Sequence, residues 1–570
     1  MMKTKLIIKI VASAALFLTA WPSLVAAETP AQPAPAAGFS PENQSYQFVT
    51  TETFNPKSDP SMKPTTANAY LWIPPACKRV RGVLVLSQNV PEGWIAGHPA
   101  IRAACADNDL AIMWACRGFL MRSMNNYYGD PNLEARDKDY GDFVQQMLTS
   151  LAAKSGYAEI ATVPWIPIGE SCAIIVPTSI SNARPERCIA AIQVKDGQWK
   201  GLHSLHVPVL AACGSGAEWN EPKSNVLASW KGKASGDYKN HCTKRTEQPE
   251  WPGSLLIEAG SAHFSCTDAM ARLIAQYIRT AAKARLSTDG SATLRPVNLD
   301  DGYVAGLPVP GAPPVPPVRY KDCTPEQKNL PWYFDEASAK AAFDLANVNW
   351  NAQTQMPVFA DDAGQPIPFN ETGITGPLPI KWEKDGVTFT IGTTYLDKLP
   401  ETFAKAGTEV GHPAAKPVVE WLCGSFVPLG NNRFQLSIDR MWKKCFCYVR
   451  VWHPGDATYR LSTRPGRIDF TPNKTGKPQK ITFAAIPDQR AGMKEIRLHA
   501  TSDSVLPVRF YVQVGPAEIH GDRLVFTPIP PRTKMPVTVT VGAWQWGRDS
   551  EPAVQTADIV ERSFQILPRN

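Results

Sequence analysis

A serine hydroxyl is a weak nucleophile until a base takes its proton, so a catalytic serine is recognised by what surrounds it. The segment Gly169-Glu170-Ser171-Cys172-Ala173 has the required surroundings. A nucleophile on a sharp strand-to-helix turn needs small residues two before and two after it, because side chains there would collide with adjacent backbone. Gly169 and Ala173 are small, and the turn directs the Cys172 amide at a developing oxyanion. Cys172 adjoins the nucleophile, but the apex belongs to Ser171. Small-x-Ser-x-small also occurs by chance, so the order of the remaining groups carries the weight. Glu218 follows an apolar run at Val207 to Cys213, and His263 follows another at Leu255 to Glu258 across a loop of small residues. A serine, then a carboxylate, then a histidine, each just past a strand, can transfer an acyl group. The histidine takes and returns the proton, and the carboxylate fixes its tautomer. Glu221 and Asp237 compete with Glu218, because the stretch from 218 to 241 is irregular.

These groups need a rigid sheet to position them. Gly82 to Leu86, Ala111 to Ala115, Trp165 to Ile168, Cys188 to Val194 and Val207 to Cys213 are short apolar runs bounded by turn residues, as strands buried on both faces are. Between them, Asp142 to Ala153 has apolar residues at helical spacing. Met270, Leu273, Ile274, Tyr277, Ile278 and Ala281 form a second stripe after His263. Alternating strands and helices predict a mostly parallel sheet. Pro177 falls where the helix after the nucleophile should continue and predicts that it is short or kinked.

On these residues the chain from about 70 to 287 resembles the α/β-hydrolase superfamily in its secreted serine esterase branch. The resemblance implies Ser171 as nucleophile, His263 as general base and Glu218 as acid. Leu86-Ser87-Gln88-Asn89 occupies the place of the oxyanion loop, so Asn89, or second to it Gln88, is expected to donate a backbone N–H beside that of Cys172. The His-Gly pair common in lipases is absent from that loop. No metal and no organic cofactor is implied.

The rest of the chain divides by composition. Residues 1–27 read as a signal peptide: Lys3, Lys5 and Lys9 precede an apolar run, and cleavage is expected after Ala27, giving a secreted or periplasmic protein. The apolar run is too short for a membrane span. Residues 28–45 form a flexible Pro/Ala-rich lead-in, 46–287 the catalytic domain, and 288–318 a Pro-rich linker. Residues 319–477 form a β-rich domain of unnamed type. Alternating strands at Val387 to Ile391, Val508 to Val514 and Val537 to Val541 predict β-sandwiches here. From 478 to 570, the runs Gln479 to Phe483, Ala500 to Ser504, Leu506 to Val508, Val514 to Ala517 and Leu524 to Phe526 resemble a bacterial immunoglobulin-like module, which implies a spacer or binding role. The expected fold class is therefore an α/β-hydrolase sheet followed by all-β sandwiches.

The formal net charge is +7, three of it from the leader lysines, and no basic block stands out, so nucleic acid is not an expected partner. Twelve cysteines suit an exported protein with some disulfides, and Cys423 could pair with Cys445 or Cys447. His203 and His206 lack a third ligand and predict no metal. His98 either borders the pocket or lies on the surface. Trp94, Trp114 and Trp219 stand near strand ends, where Trp94 and Trp219 are expected to bind substrate if they are not core. Trp544 and Trp546 share one sheet face and are read as core ahead of a sugar platform. The architecture points to an extracellular polymer bearing acetyl or feruloyl esters. A serine peptidase of the same fold, or a non-catalytic adhesion protein, are the alternatives.

Overall fold

Six of the eight central strands are covered on both faces, and their sequences show it. The computed structural model describes residues 45–60, 62–116, 132–195, 202–204, 206–214, 233–258, 260–307, 314–347, 352–370, 373–401, 406–442, 446–504 and 506–569. The strands are β1 (Phe48–Phe54), β2 (Thr65–Trp72), β3 (Gly82–Ser87), β4 (Leu110–Cys116), β5 (Trp165–Glu170), β6 (Ala191–Val194), β7 (Val209–Gly214) and β8 (Gly253–Glu258). They form one sheet in the order β1-β2-β4-β3-β5-β6-β7-β8. From β4 through β8 every pairing is parallel, and every residue of β3, β4, β5, β6, β7 and β8 is buried. β1 and β2 pair antiparallel at one edge, where β1 alternates between buried and exposed residues. Neither was singled out from sequence, because exposed positions break the continuous apolar run in both.

Helices join the parallel strands. Leu133–Ser155 ends on Gly156, whose φ of 84° is the left-handed cap that glycine favours. A Cβ at Gly156 would also press on the backbone of Arg532 and Lys534, so the C-terminal module packs directly against this helix end. Asp268–Arg285 starts on Thr267, whose hydroxyl accepts from the Met270 N–H at 3.2 Å.

The stretch expected to be a linker holds two strands. Tyr303–Gly306 pairs with Val315–Arg319 and with Trp332–Tyr333, so residues on both sides of 318 share one sheet. Pro316 and Pro317 sit inside the second strand, where they can lie only because it is an edge. A helix, Glu336–Asn347, lies within the region read as β-rich.

The remaining strands form small sheets that are mostly antiparallel. Val418–Cys423, Cys447–His453 and Ser462–Ile468 make one of three strands. At the end of the chain a four-stranded sheet carries Arg509–Val514, Val537–Trp544 and Val560–Leu567, and a three-stranded one carries Ala517–His520 and Arg523–Phe526. Phe483, Phe510, Leu524, Val539 and Phe564 belong to one buried cluster with Val83, Val85 and Phe143 of the parallel-sheet region. A second cluster joins Leu84, Leu86 and Ile168 to Phe389, Val449 and Ile468. The described residues from 45 to 569 accordingly form one compact unit. Trp544 and Trp546 are 2% and 1% exposed, so both are core and neither offers a stacking face.

Candidate active site

β5 ends at Glu170, and Ser171 follows at the apex of a turn with φ of 51°, a conformation few non-glycine residues adopt. A 3-10 turn, Ser171–Ile174, then leads into the helix Ile175–Ala183. Pro177 lies in the first turn of that helix, where its missing N–H costs nothing, and the helix is nine residues long. A Cβ at Gly169 would collide with the Ala173 carbonyl, the close approach that requires glycine there.

β8 brings up the histidine. After Glu258 the chain turns through Gly260 to His263 and then enters the helix at Asp268. Ser171 Oγ lies 2.7 Å from His263 Nε2. His263 is buried, whereas Ser171 and Cys172 are half-buried. Proton transfer from the serine needs Nε2 as acceptor with the ring proton on Nδ1. Burial, followed by the charges of Glu170 and Glu92, pushes the Cys172 thiol up to about 12. It is no thiolate at neutral pH, and Ser171, not Cys172, holds the positive-φ apex of the turn.

Glu218, Glu221 and Trp219 lie outside the described residues, and Asp237 falls on the helix Lys233–Glu247. Glu258 Oε1 accepts the Thr267 hydroxyl.

The expected oxyanion loop is a correction. The Asn89 N–H donates to Glu92 Oε2 at 2.7 Å, and the Val90 N–H donates to the same oxygen at 2.9 Å. The Gln88 N–H donates to the Ala115 carbonyl. None of the three amides is turned to an oxyanion, because a buried carboxylate and a neighbouring strand claim them. Glu92 Oε1 also accepts from the Glu170 N–H at 2.8 Å, and Asn89 Nδ2 donates to Glu170 Oε2 at 2.9 Å. Two buried carboxylates thus tie the loop after β3 to the residue before the nucleophile. Burial outweighs the backbone N–H donors around it and pushes Glu92 up to about 7. Sequence reasoning missed this pair. Glu170 stood inside the motif, but nothing in Pro91-Glu92-Gly93 marked a buried acid.

His98 faces inward rather than the surface. It is buried, its Nδ1 accepts from the Ala100 N–H at 3.2 Å, and its Nε2 lies 3.0 Å from Asp268 Oδ1. Trp94 packs its ring 4.8 Å from that of His98. Trp114 is core, with its Nε1 donating to Gln88 Oε1. His203 and His206 are exposed, and no cluster of three or more His, Cys, Asp or Glu residues that could hold a metal ion occurs among the described residues. Cys77, Cys105, Cys172, Cys188, Cys266, Cys323, Cys423 and Cys447 are free thiols, and no disulfide occurs among the described residues. Cys445 lies outside them. No described helix is long and apolar enough to cross a membrane.

The strand order β1-β2-β4-β3-β5-β6-β7-β8, with a serine at the apex after β5 and a histidine after β8, is that of the α/β-hydrolase fold. No family model and no curated protein matches the chain. Among solved structures it is similar to a poly(3-hydroxybutyrate) depolymerase from Bordetella parapertussis, at 13% identity over 42% of this chain and 92% of that one, with a TM-score of 0.29. It is also similar to an S-formylglutathione hydrolase from Agrobacterium tumefaciens, at 10% identity over 42% and 97%, with a TM-score of 0.28. A third is a monoglyceride lipase from Saccharomyces cerevisiae, at 11% identity over 44% and 99%, with a TM-score of 0.27.

Proposed function

We propose that the chain is a secreted carboxylic ester hydrolase working through an acyl-enzyme. The observation that carries this reading is the 2.7 Å hydrogen bond between Ser171 Oγ and His263 Nε2 at an apex with positive φ. Ser171 Oγ attacks the ester carbonyl while His263 takes its proton. The tetrahedral oxyanion is held by the Cys172 N–H. Collapse expels the alcohol, protonated by His263, and leaves the acyl group on Ser171. A water deprotonated by His263 then attacks the acyl carbonyl and releases the acid, returning the proton to Ser171. Glu218 is the acid assigned to orient the imidazole.

The leader ending at Ala27 sends the protein out of the cytoplasm, and the appended β modules fit an enzyme that meets a polymer. Acetyl or feruloyl esters of an extracellular polysaccharide are the proposed substrates. The test is hydrolysis of p-nitrophenyl acetate and butyrate by residues 28–570, beside Ser171→Ala and His263→Ala. Turnover lost in both folded variants establishes the serine mechanism. A wild type inactive on every short ester, or variants that match it, removes the reading.

A further inference from the structure

The loop that carries His263 is held from outside the parallel sheet. Thr463, on the strand Ser462–Ile468, is buried and grips the loop twice: its N–H donates to the Gly260 carbonyl at 3.1 Å, and its Oγ1 accepts from the Ala262 N–H at 2.6 Å. Gly260 has a φ of 78°, and a Cβ there would collide with the Leu461 carbonyl, so the two backbones touch. Two residues beyond His263, Ser265 Oγ accepts from a guanidinium nitrogen of Arg450 at 2.7 Å. Arg450 is itself buried on the strand Cys447–His453, paired with Glu420 from the strand Val418–Cys423 and stacked 4.9 Å over Trp452. Phe264 rests on Tyr448, with ring centroids 5.3 Å apart.

We infer that Thr463 and Arg450 are positioning residues for His263, which makes the sheet of residues 418–468 a working part of the active site. The argument rests on the catalytic reading of Ser171 and His263. A histidine on a loop between a strand and a helix has little to fix it laterally. Here the residue before it and the residue two after it are each tied to one rigid three-stranded sheet. Both ties come from side chains already locked by burial, and Arg450 also by its ion pair. A histidine displaced by a fraction of an ångström loses the alignment on which proton transfer depends.

The test uses the full chain from residue 28, with p-nitrophenyl butyrate turnover normalised to active sites titrated by a fluorophosphonate. Thr463→Val keeps the shape and removes the acceptor. Its kcat per titrated site should fall roughly 10- to 100-fold with KM within about twofold. Thr463→Ser, which keeps the hydroxyl, should return to within about threefold of wild type. Ser265→Ala, which spares Arg450 its pairing with Glu420, should lose about three- to tenfold in kcat and serves if Thr463→Val does not fold. A purely structural role would reduce the number of titrated sites and leave turnover per site unchanged. The inference is overturned if Thr463→Val and Ser265→Ala both turn over like wild type while Ser171→Ala is dead. A wild type that the fluorophosphonate does not label removes the esterase reading itself, and this inference with it.

Discussion

Ser171 Oγ and His263 Nε2 stand 2.7 Å apart although 92 positions separate them in the chain. The sheet brings them together from the ends of β5 and β8, and their chemistry should be a single unit. Groups that act as a unit are non-additive when removed. Ser171→Ala and His263→Ala should each lower kcat on the order of 10⁴- to 10⁶-fold, and the double variant should lose no more than the worse single one. Multiplying losses in steady-state kinetics would show that the two groups act in separate steps.

Cys172 is half-buried next to Ser171, and burial holds its thiol up to about 12. The thiolate fraction at pH 7 is then negligible, and a thiolate is what alkylating reagents attack. Iodoacetamide at pH 7 should leave ester hydrolysis intact. Cys172→Ser should keep turnover within about tenfold of wild type, since the contribution assigned to this residue is its backbone N–H. Rapid inactivation by iodoacetamide, traced to Cys172 by mass spectrometry, would contradict both.

Gly169 has no room for a methyl group beside the Ala173 carbonyl. Gly169→Ala should destabilise the fold by about 1–3 kcal/mol, the cost of forcing an extra carbon into packed structure. It should also abolish activity by opening the turn that holds Ser171. Gly521→Ala is the control: it has positive φ and nothing near its Cβ, so it should cost only backbone strain of about 1 kcal/mol and leave turnover alone. Thermal melts and kinetics on both variants separate the two effects.

What the sequence shows and what it hides follow from range. The buried strands announce themselves, because an unbroken run such as Val83 to Leu86 is the signature of a strand covered on both faces. That Ser171 and His263 meet was suggested by the sequence, because a sharp turn demands small neighbours that lie adjacent in the chain. Asn89 was misplaced for the opposite reason. Its N–H is taken by Glu92, and a carboxylate three residues on in a loop carries no periodic signal. Thr463 and Arg450 were invisible as parts of the site, since each meets the histidine loop across about 200 positions. The linker reading failed to register Tyr303–Gly306 and Val315–Arg319, because prolines in an edge strand look like prolines in a linker.

Two buried titrating groups should tilt stability in opposite directions with pH, and separating them gives the final prediction. Burial lowers His98 below its ordinary 6.5, against the pull of Asp268. As pH falls through 6.5 the unfolded chain gains a proton that the folded state refuses, so this group removes stability on acidification. Glu92 does the reverse. Its folded value of about 7 lies above the ordinary 4.5, so between those limits the folded state keeps a proton the unfolded chain has released. Stability from Glu92 is complete below 4.5 and is lost as pH rises to 7. His98→Asn can still cap the Ala100 N–H but cannot titrate. Relative to wild type, it should therefore gain stability as pH falls from 6.5. Glu92→Gln cannot titrate either, and it should fall behind wild type as pH drops from 7 to 4.5. It should also start from a deficit of about 1–3 kcal/mol, because its Nε2 cannot accept the backbone N–H bonds that a carboxylate oxygen takes. Urea titrations at half-unit steps from pH 4.5 to 7.5 read both slopes. If the two variants diverge from wild type in the same direction, one of the two burial assignments is wrong, and the sign identifies which.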